Sequence, residues 1–191
     1  PEFFAELFTK LAEETDEILT ITLSELYSGT YQAALQGKSM VKSNCRIEVI
    51  DSQLVICAQM LLVILAAQMA QSGDNLDQIT NWVKKAIPRT HVRMSFDTLE
   101  YLRKGGRIGK AQAFLGSLLK VYPVLSIKDG TTFPIARPRN RTQSIDFLVN
   151  FAHHLFKIIV FSIEDATTPG EAEALVQRLK DIAPPKHTYL S

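Results

Sequence analysis

Apolar residues recur along the chain at two spacings, the two-residue period of strands and the longer period of helices. Residues 17–23 (EILTITL) alternate as a strand does, and residues 46–50 form a second short apolar run. Helical spacing precedes, separates and follows these strands, at residues 3–11, 31–40, 54–71 and 76–86. We therefore expect the first part of the chain to combine strands with helices and to end near Pro88, because proline stops the last helix.

The second part of the chain is organised around a hairpin signal, Lys128-Asp129-Gly130, between the apolar runs 122–127 and 131–136. The other predicted strands are residues 90–96, 157–163 and from His187 onward, and the predicted helices are residues 98–104, 111–120, 142–155 and 169–182. Strands that alternate with helices define the α/β class, and the hairpin makes the second sheet mixed. We expect two domains, residues 1–88 and residues 89–191.

Composition narrows the classes of function. The 21 basic residues balance the 20 acidic ones, and this formal charge of +1 argues against a whole-domain attraction to nucleic acid or anionic membrane. Cys45 and Cys57 are too few for a disulfide framework and lack metal-ligand spacing with any histidine, so a reducing, cytoplasmic location is expected. The longest apolar stretch, residues 54–67, is shorter than the ~20 residues that span a bilayer, which predicts a buried helix and no stable membrane insertion.

Ser28-Gly29-Thr30 lies where the first predicted strand gives way to a helix, the position at which open α/β sheets bind ligands. Two hydroxyl groups and the unpaired amides of the helix start can hold an anion there, because the helix dipole favours negative charge. The same residues also suit an ordinary serine or threonine N-cap with glycine in a tight turn. The spacing alone favours the cap.

A second polar segment, residues 102–110 (LRKGGRIGK), combines three glycines with four basic residues. It resembles a phosphate-binding loop in composition, but it lacks the GxxxxGK[ST] order and does not directly follow a clear strand. The alternative is a solvated interdomain loop. In that interpretation Gly105 and Gly106 permit close backbone approach, and Arg107 offers a planar group to a carboxylate or phosphate.

The third polar segment is the basic cluster of residues 137–141 (RPRNR), which leads into a predicted helix. No aromatic residue interleaves with its arginines, so docking of an acidic or phosphorylated partner is favoured over nucleic-acid binding.

Candidate acid–base residues occur at two strand ends, Asp51-Ser52 and Glu164-Asp165, where loop capping is the simpler interpretation. No nucleophile, base and orienting group can be assembled around them. The adjacent pair His153-His154 lacks the i,i+4 spacing of two metal ligands on one helix face. The sequence therefore predicts neither catalysis nor a metal site.

Three blocks of sequence occur in a familiar order: SGTYQAA after a strand, VIDSQ before the long helix, and LRKGGRIGKAQAFLGSLLKVYPVLSIKDG. In these blocks the chain resembles the DegV family of bacterial fatty-acid-binding proteins, over nearly its full length. The resemblance implies a two-domain α/β fold with a mainly parallel first sheet, a mixed second sheet and a long-chain fatty acid bound between the domains. It also implies further segments of the domains before Pro1 and after Ser191.

The resemblance assigns roles to individual residues. Ser28, in the Ser28-Gly29-Thr30 motif, matches the family's carboxylate-binding serine, and Arg107 matches the arginine of the GGRI motif. Arg139 and Arg141 match a two-arginine motif, at which we expect a partner to dock. Family members deliver their fatty acid to a separate kinase subunit that makes acyl phosphate for phospholipid synthesis, so the chemistry is expected on that partner.

The chain departs from the family pattern around these motifs, at Glu25, Tyr27, Ile56, Ala58, Met60 and Asn140. His187-Thr188 is followed by Tyr189 and Leu190, so the family's histidine motif is not assigned to it. We expect a fatty-acid carrier that needs no cofactor. Two other functions stay open, a phosphoester or nucleotide enzyme that uses the residue 102–110 loop, and a nucleic-acid-binding regulator. Neither accounts as well for the long apolar helix.

Overall fold

A computed structural model describes residues 1–116, 121–182 and 188–190 and has the expected α/β architecture. The chain divides into two compact units. The first comprises Pro1–His91 together with the short segment Asp129–Thr131, and the second comprises Val92–Lys128 and Thr132–Ser191. Each unit is described below by itself.

The first unit is built on a pair of parallel strands. Its elements are α1 (Glu2–Leu11), β1 (Glu17–Thr22), α2 (Thr30–Met40), β2 (Arg46–Asp51), α3 (Ile56–Gln71) and α4 (Leu76–Ala86), followed by a 3-10 turn at Ile87–Arg89. The strands pair in register from Glu17 with Arg46 to Thr22 with Asp51. Both strands therefore end at the same edge of the pair, which is the edge where a ligand site was expected.

Helices pack against the parallel pair of strands through two apolar clusters. Phe8 of α1 packs with Ile18 and Ile47 in one cluster. The other contains Ile50 of β2 with Ala66, Ile79 and Val83 from α3 and α4. Because successive strand residues face opposite sides, Ile47 and Ile50, three positions apart on β2, pack in different clusters. The apolar positions of α1, α3 and α4 are thus explained by the strand pair that these helices cover.

The second unit contains both strand orientations. Its elements are β3 (Met94–Ser95), α5 (Glu100–Lys104), a 3-10 segment (Gly109–Phe114), β4 (Val124–Lys128), β5 (Thr131–Ala136), α6 (Arg141–His153), β6 (Phe161–Ile163), α7 (Pro169–Leu179) and β7 (Thr188–Leu190). β3, β4 and β5 form one sheet in that order, and β3 runs antiparallel to β4. β6 and β7 pair in parallel in a separate sheet.

Several predicted elements are shorter than their sequence patterns. The predicted strand at residues 90–96 reduces to Met94–Ser95, because the Val92 carbonyl accepts side-chain bonds from Arg93 and Ser126 at 2.8 and 3.0 Å. The strand predicted at residues 157–163 reduces to Phe161–Ile163, and Lys157, with φ of 56°, interrupts the extended backbone.

Other differences concern helices. Of the helix predicted at residues 111–120, residues 111–114 belong to the 3-10 segment Gly109–Phe114 and residues 115–116 form a turn, whereas residues 117–120 lie outside the described part of the chain. His187, the expected start of the last strand, also lies outside it. Among the described residues, no helix combines the length and the apolar character required to cross a membrane.

Candidate ligand-binding site

The loops that follow β1 and β2 are tied together at the carboxyl edge of the strand pair. The backbone N–H of Ser52 donates to the Thr22 carbonyl at 3.1 Å, and that of Ser24 donates to the Leu54 carbonyl at 2.8 Å. Both serines are fully buried. These bonds fix the two loops to each other at the carboxyl edge, and the segment that carries Ser28 leads from there into α2.

Ser28 and Thr30 form a pair of hydroxyl groups at the start of α2. Their oxygens are 2.8 Å apart, and the Ser28 oxygen also accepts the Thr30 backbone N–H at 3.3 Å. Two hydroxyl groups carry two protons, and the bond between them uses one. The pair therefore keeps one O–H with which to bind an anion.

Gly29, between these hydroxyl groups, occupies the N-cap position of α2. The structure thus differs from the ordinary Ser or Thr cap that the spacing favoured, because the capping residue is the glycine and it has no side chain to accept a bond. Its φ of −69° suits any residue, so conformation does not demand glycine here. A methyl group at this position would meet no atom within 4 Å. The backbone beside the hydroxyl pair is open to an approaching ligand.

Asp51 and Ser52 hold the second loop. One Asp51 carboxylate oxygen accepts the backbone N–H groups of Gln53 and Glu25, at 2.9 and 3.3 Å. The Ser52 hydroxyl accepts the Leu54 N–H at 3.1 Å. Burial, with the negative charge of Glu25 as a smaller cause, raises the pKa of Asp51, although the two N–H groups act in the opposite direction. These contacts position the loop.

The next helix, α3, begins with unusual backbone geometry. Ile56 has a φ of 50°, in the left-handed region that a β-branched residue rarely adopts. The sequence pattern predicted a helix from Leu54, but α3 starts two residues later, at Ile56. Ile56 is also one of the positions at which the chain departs from the DegV pattern, and its side chain is 45% exposed.

In the second unit, the glycines of the residue 102–110 loop end α5. The N–H of Gly106 donates to the Arg103 carbonyl at 3.1 Å, and the N–H of Arg107 donates to the Leu102 carbonyl at 2.8 Å. With Gly106 at a φ of 73°, these two bonds form a Schellman motif. A phosphate-binding loop needs free N–H groups at a helix start, whereas these N–H groups cap a helix end. The geometry therefore speaks against the phosphate-loop alternative.

Arg107 is fixed mainly through its backbone. Its carbonyl accepts the hydroxyl of Thr132 at 2.6 Å, and Thr132 is fully buried. One terminal nitrogen of the exposed guanidinium donates to the Gly105 carbonyl. Sequence reasoning missed Thr132, because its partner lies 25 residues away and a threonine inside a strand carries no functional signal. The backbone of Arg107 is thus held in place by Leu102 and Thr132, while its guanidinium is exposed.

The two arginines of the basic cluster have different environments. Arg139 is exposed, and its backbone N–H donates to the side chain of Gln143 at 3.1 Å. Arg141 contacts both carboxylate oxygens of Glu171, at 2.6 to 3.3 Å, and its side chain is only 27% exposed. Glu171 raises the pKa of Arg141. Arg141 therefore stabilises the second unit internally, whereas Arg139 presents its charge to solvent.

The structure thus brings Ser28, Gly29 and Thr30 together in the first unit and keeps Gly105, Gly106, Arg107, Arg139 and Arg141 in the second. The joint role of Ser28 and Arg107 at one carboxylate stays a prediction. Within residues 1–116, 121–182 and 188–190, no group of three or more His, Cys, Asp or Glu side chains could hold a metal ion. Cys45 and Cys57 are thiols.

Comparison with known proteins defines the class. The chain is an α/β protein with a parallel strand pair in its first unit and both strand orientations in its second. The family model described as "Uncharacterised protein, DegV family" matches residues 1–190, so the chain belongs to the DegV family. A relative in Caldanaerobacter subterraneus, a DegV domain-containing protein, is 37% identical over 151 residues, which cover 79% of this chain and 54% of the relative. The chain thus spans little more than half the length of that relative.

Solved structures agree with this assignment. A fatty-acid-binding DegV family protein from Thermus thermophilus is 28% identical, with a TM-score of 0.84 over 100% of this chain and 69% of that protein. A stearic acid-binding protein from Eubacterium ventriosum is 26% identical, with a TM-score of 0.82 over 96% of this chain and 67% of that protein. The family and the fold expected from the sequence are confirmed.

Proposed function

We propose that this chain binds a long-chain fatty acid and that the Ser28–Thr30 hydroxyl pair holds the carboxylate. The observation that carries the proposal is the pair of oxygens 2.8 Å apart at the carboxyl edge of β1, beside the open face of Gly29. The family's fold binds fatty acids in its solved relatives, which supports the choice of ligand.

The chemistry of the pair suits a carboxylate. A hydroxyl that donates to a charged acceptor stabilises it by about 1.5–3 kcal/mol, more than a bond between neutral groups does. The amides of the first turn of α2 add positive potential. The acyl tail contributes about 0.8 kcal/mol for each buried methylene, so the tail supplies most of the affinity and the hydroxyl pair sets the orientation.

The second unit adds the other proposed contributors. Arg107 offers an exposed guanidinium to the same carboxylate, and Gly105 and Gly106 shape the interdomain loop from which it extends. We propose no catalytic role for these residues, since the described residues around them provide no nucleophile paired with a base. Chemistry on the fatty acid is therefore assigned to a partner.

That partner, in this proposal, is a fatty acid kinase subunit of the cytoplasm, to which the carrier presents the carboxylate for formation of acyl phosphate. Arg139, exposed just before α6, is the residue proposed to dock it. Arg141 carries less of this role, because Glu171 occupies its guanidinium. The proposal includes no nucleic-acid partner and no stable membrane insertion.

Native mass spectrometry of the protein purified from cells tests the binding step. We expect a co-purifying mass that gas chromatography identifies as a long-chain fatty acid. After delipidation, added stearic acid should restore the complex. A protein that carries no fatty acid and takes up none when it is added would refute the proposal.

Acyl-phosphate formation with the kinase subunit and ATP tests the docking step. We expect Arg139→Ala to reduce the rate several-fold while its affinity for stearic acid stays unchanged. Arg89→Ala, an exposed arginine of the first unit, serves as the matched control and should behave as the wild type. An unchanged rate for Arg139→Ala would remove this residue from the docking surface.

A further inference from the structure

Ser24 lies at the centre of the polar contacts beneath the Ser28 loop. Its side chain is fully buried. The hydroxyl donates to the carbonyl of Gly130 at 2.6 Å and accepts the backbone N–H of Leu26 at 3.2 Å. Because buried polar groups are costly to leave unpaired, these two bonds fix the hydroxyl in one orientation.

The backbone of Ser24 connects these bonds to the segment that carries Ser28. Its carbonyl accepts the N–H groups of Tyr27 and Ser28, at 3.0 and 3.3 Å. Leu26, at the outer point of the loop, is 66% exposed, so burial of apolar surface does little to hold the loop there. The position of Ser28 therefore depends on bonds that converge on Ser24.

The carbonyl bound by Ser24 belongs to the turn between β4 and β5. Asp129 and Gly130 have φ values of 51° and 72°, the pattern of a two-residue type I′ turn. The segment Asp129–Thr131 packs within the first unit, although it is distant in sequence from Pro1–His91. The turn is thus a remote piece of chain that contacts the loop of the proposed site.

Glycine is favoured at position 130 for two reasons. Its φ of 72° is one that glycine adopts without strain and that side chains other than Asn and Asp rarely adopt. In addition, a Cβ atom at Gly130 would lie 2.8 Å from the Ser24 hydroxyl oxygen and 3.5 Å from a methyl carbon of Leu26. A side chain there would displace the hydroxyl on which the loop depends.

We propose that Ser24 and Gly130 are positioning residues that set the affinity of the Ser28 loop for the fatty-acid carboxylate. Neither residue touches the ligand. The turn carbonyl holds the Ser24 hydroxyl, Ser24 holds the backbone of Ser28, and Ser28 binds the carboxylate. This inference rests on the proposed function, and it adds a turn more than 100 residues away in sequence to the determinants of the site.

The first test compares stearic acid with 1-octadecanol, which has the same tail without a carboxylate. For Ser24→Ala in the full chain, we expect the affinity for stearic acid to fall about tenfold, because a displaced Ser28 loses its bond to the charged carboxylate. The affinity for the alcohol should change less than twofold. Ser39→Ala, which removes an exposed hydroxyl bonded within α2, is the control and should leave both affinities unchanged.

A matched pair of glycine substitutions separates the contact from backbone strain. Gly130→Ala and Gly73→Ala both place alanine at a positive φ, 72° and 94°, but Gly73 has no atom within 4 Å of an added methyl group. We expect Gly130→Ala to lower the affinity for stearic acid selectively, as Ser24→Ala does. Gly73→Ala should lower only the melting temperature. If Ser24→Ala does not fold, the comparison of Gly130→Ala with Gly73→Ala tests the positioning role by itself.

The outcomes distinguish the two proposals. If Ser24→Ala and Gly130→Ala bind stearic acid as the wild type does, or lose acid and alcohol equally, the positioning role is wrong even though Ser28→Ala still weakens binding of the acid. If the wild type binds neither ligand, the proposed function itself fails.

Discussion

Two loops of this protein both combine glycine with polar side chains, but they differ in how their backbone N–H groups are used. The Ser28 loop combines glycine with hydroxyl groups and leaves open space beside Gly29. The Arg107 loop combines glycines with cations, but Gly106 and Arg107 direct their N–H groups into the end of α5. A polar, glycine-containing loop is therefore informative about ligands only once the partners of its N–H groups are known. In the first loop glycine provides space, whereas in the second it provides a positive φ.

Gly29→Ala is expected to have the largest effect on binding. The φ of −69° accommodates alanine, and substitution at an N-cap changes stability by less than about 1 kcal/mol. The added methyl group would occupy the space through which the carboxylate approaches, and such overpacking lowers affinity about tenfold or more. Calorimetric titration with stearic acid, together with thermal melting, measures both quantities. Unchanged affinity would show that the ligand does not approach Gly29.

Gly106→Ala is the counterpart in the second loop. Alanine at a φ of 73° costs about 1 kcal/mol, so the free energy of unfolding should fall by that amount. The affinity for stearic acid should change less than twofold, because the loop backbone serves the helix end. Denaturant unfolding and the same titration provide the measurements. A large loss of affinity without a loss of stability would show that the backbone of the Arg107 loop also serves ligand binding, as proposed for the Ser28 loop.

Arg107→Ala probes the guanidinium of the second loop that is proposed to contact the carboxylate. An exposed ion pair contributes at most about 1 kcal/mol, so we expect about a threefold to fivefold loss of affinity for the acid and none for 1-octadecanol. The loss should shrink at high salt. Arg103→Ala, an exposed arginine of α5, is the control. Equal effects of the two substitutions would indicate general electrostatic attraction rather than contact.

The smallest expected effect concerns Asp51, whose carboxylate accepts the backbone N–H of Glu25 in the segment that leads to Ser28. Its raised pKa means that the folded state keeps the carboxyl proton to higher pH than the unfolded chain does. Stability therefore falls as pH rises from the ordinary carboxyl pKa through the raised value, and it stays lower above that.

Asp51→Asn keeps an oxygen for the N–H groups of Gln53 and Glu25 and removes the charge. At neutral pH the variant should be more stable by less than about 0.5 kcal/mol, and the difference should disappear below about pH 4, where both side chains are neutral. Denaturant unfolding at the two pH values measures the gain. A variant less stable than the wild type at neutral pH would contradict the sign.

Periodicity predicted most of the fold. β1, β2, α2 and α4 lie within a residue or so of their predicted bounds. The apolar positions of β1, β2 and α4 pack directly in the two clusters of the first unit. The hairpin was also predictable, since Asp129-Gly130 is itself the chemistry of a type I′ turn. Local pattern and packing agree in these elements.

Predictions failed where distant groups decide the structure. The start of α3 depends on the φ of Ile56, and the short β3 depends on side chains that bind the Val92 carbonyl. Ser24 and Thr132 passed unnoticed, because their hydroxyl groups bind carbonyls 106 and 25 residues away. A buried serine or threonine has no local pattern that reveals such a partner.

The central claim is that Ser28 binds the fatty-acid carboxylate, and the most direct measurement is the NMR spectrum of bound stearic acid labelled with 13C at the carboxyl carbon. The label reports the environment of that group alone. We predict that Ser28→Ala shifts the bound carboxyl resonance and weakens binding about tenfold, the effect of one bond to a charged group, whereas Ser39→Ala leaves both unchanged. An identical resonance and affinity in the wild type and Ser28→Ala would contradict the account.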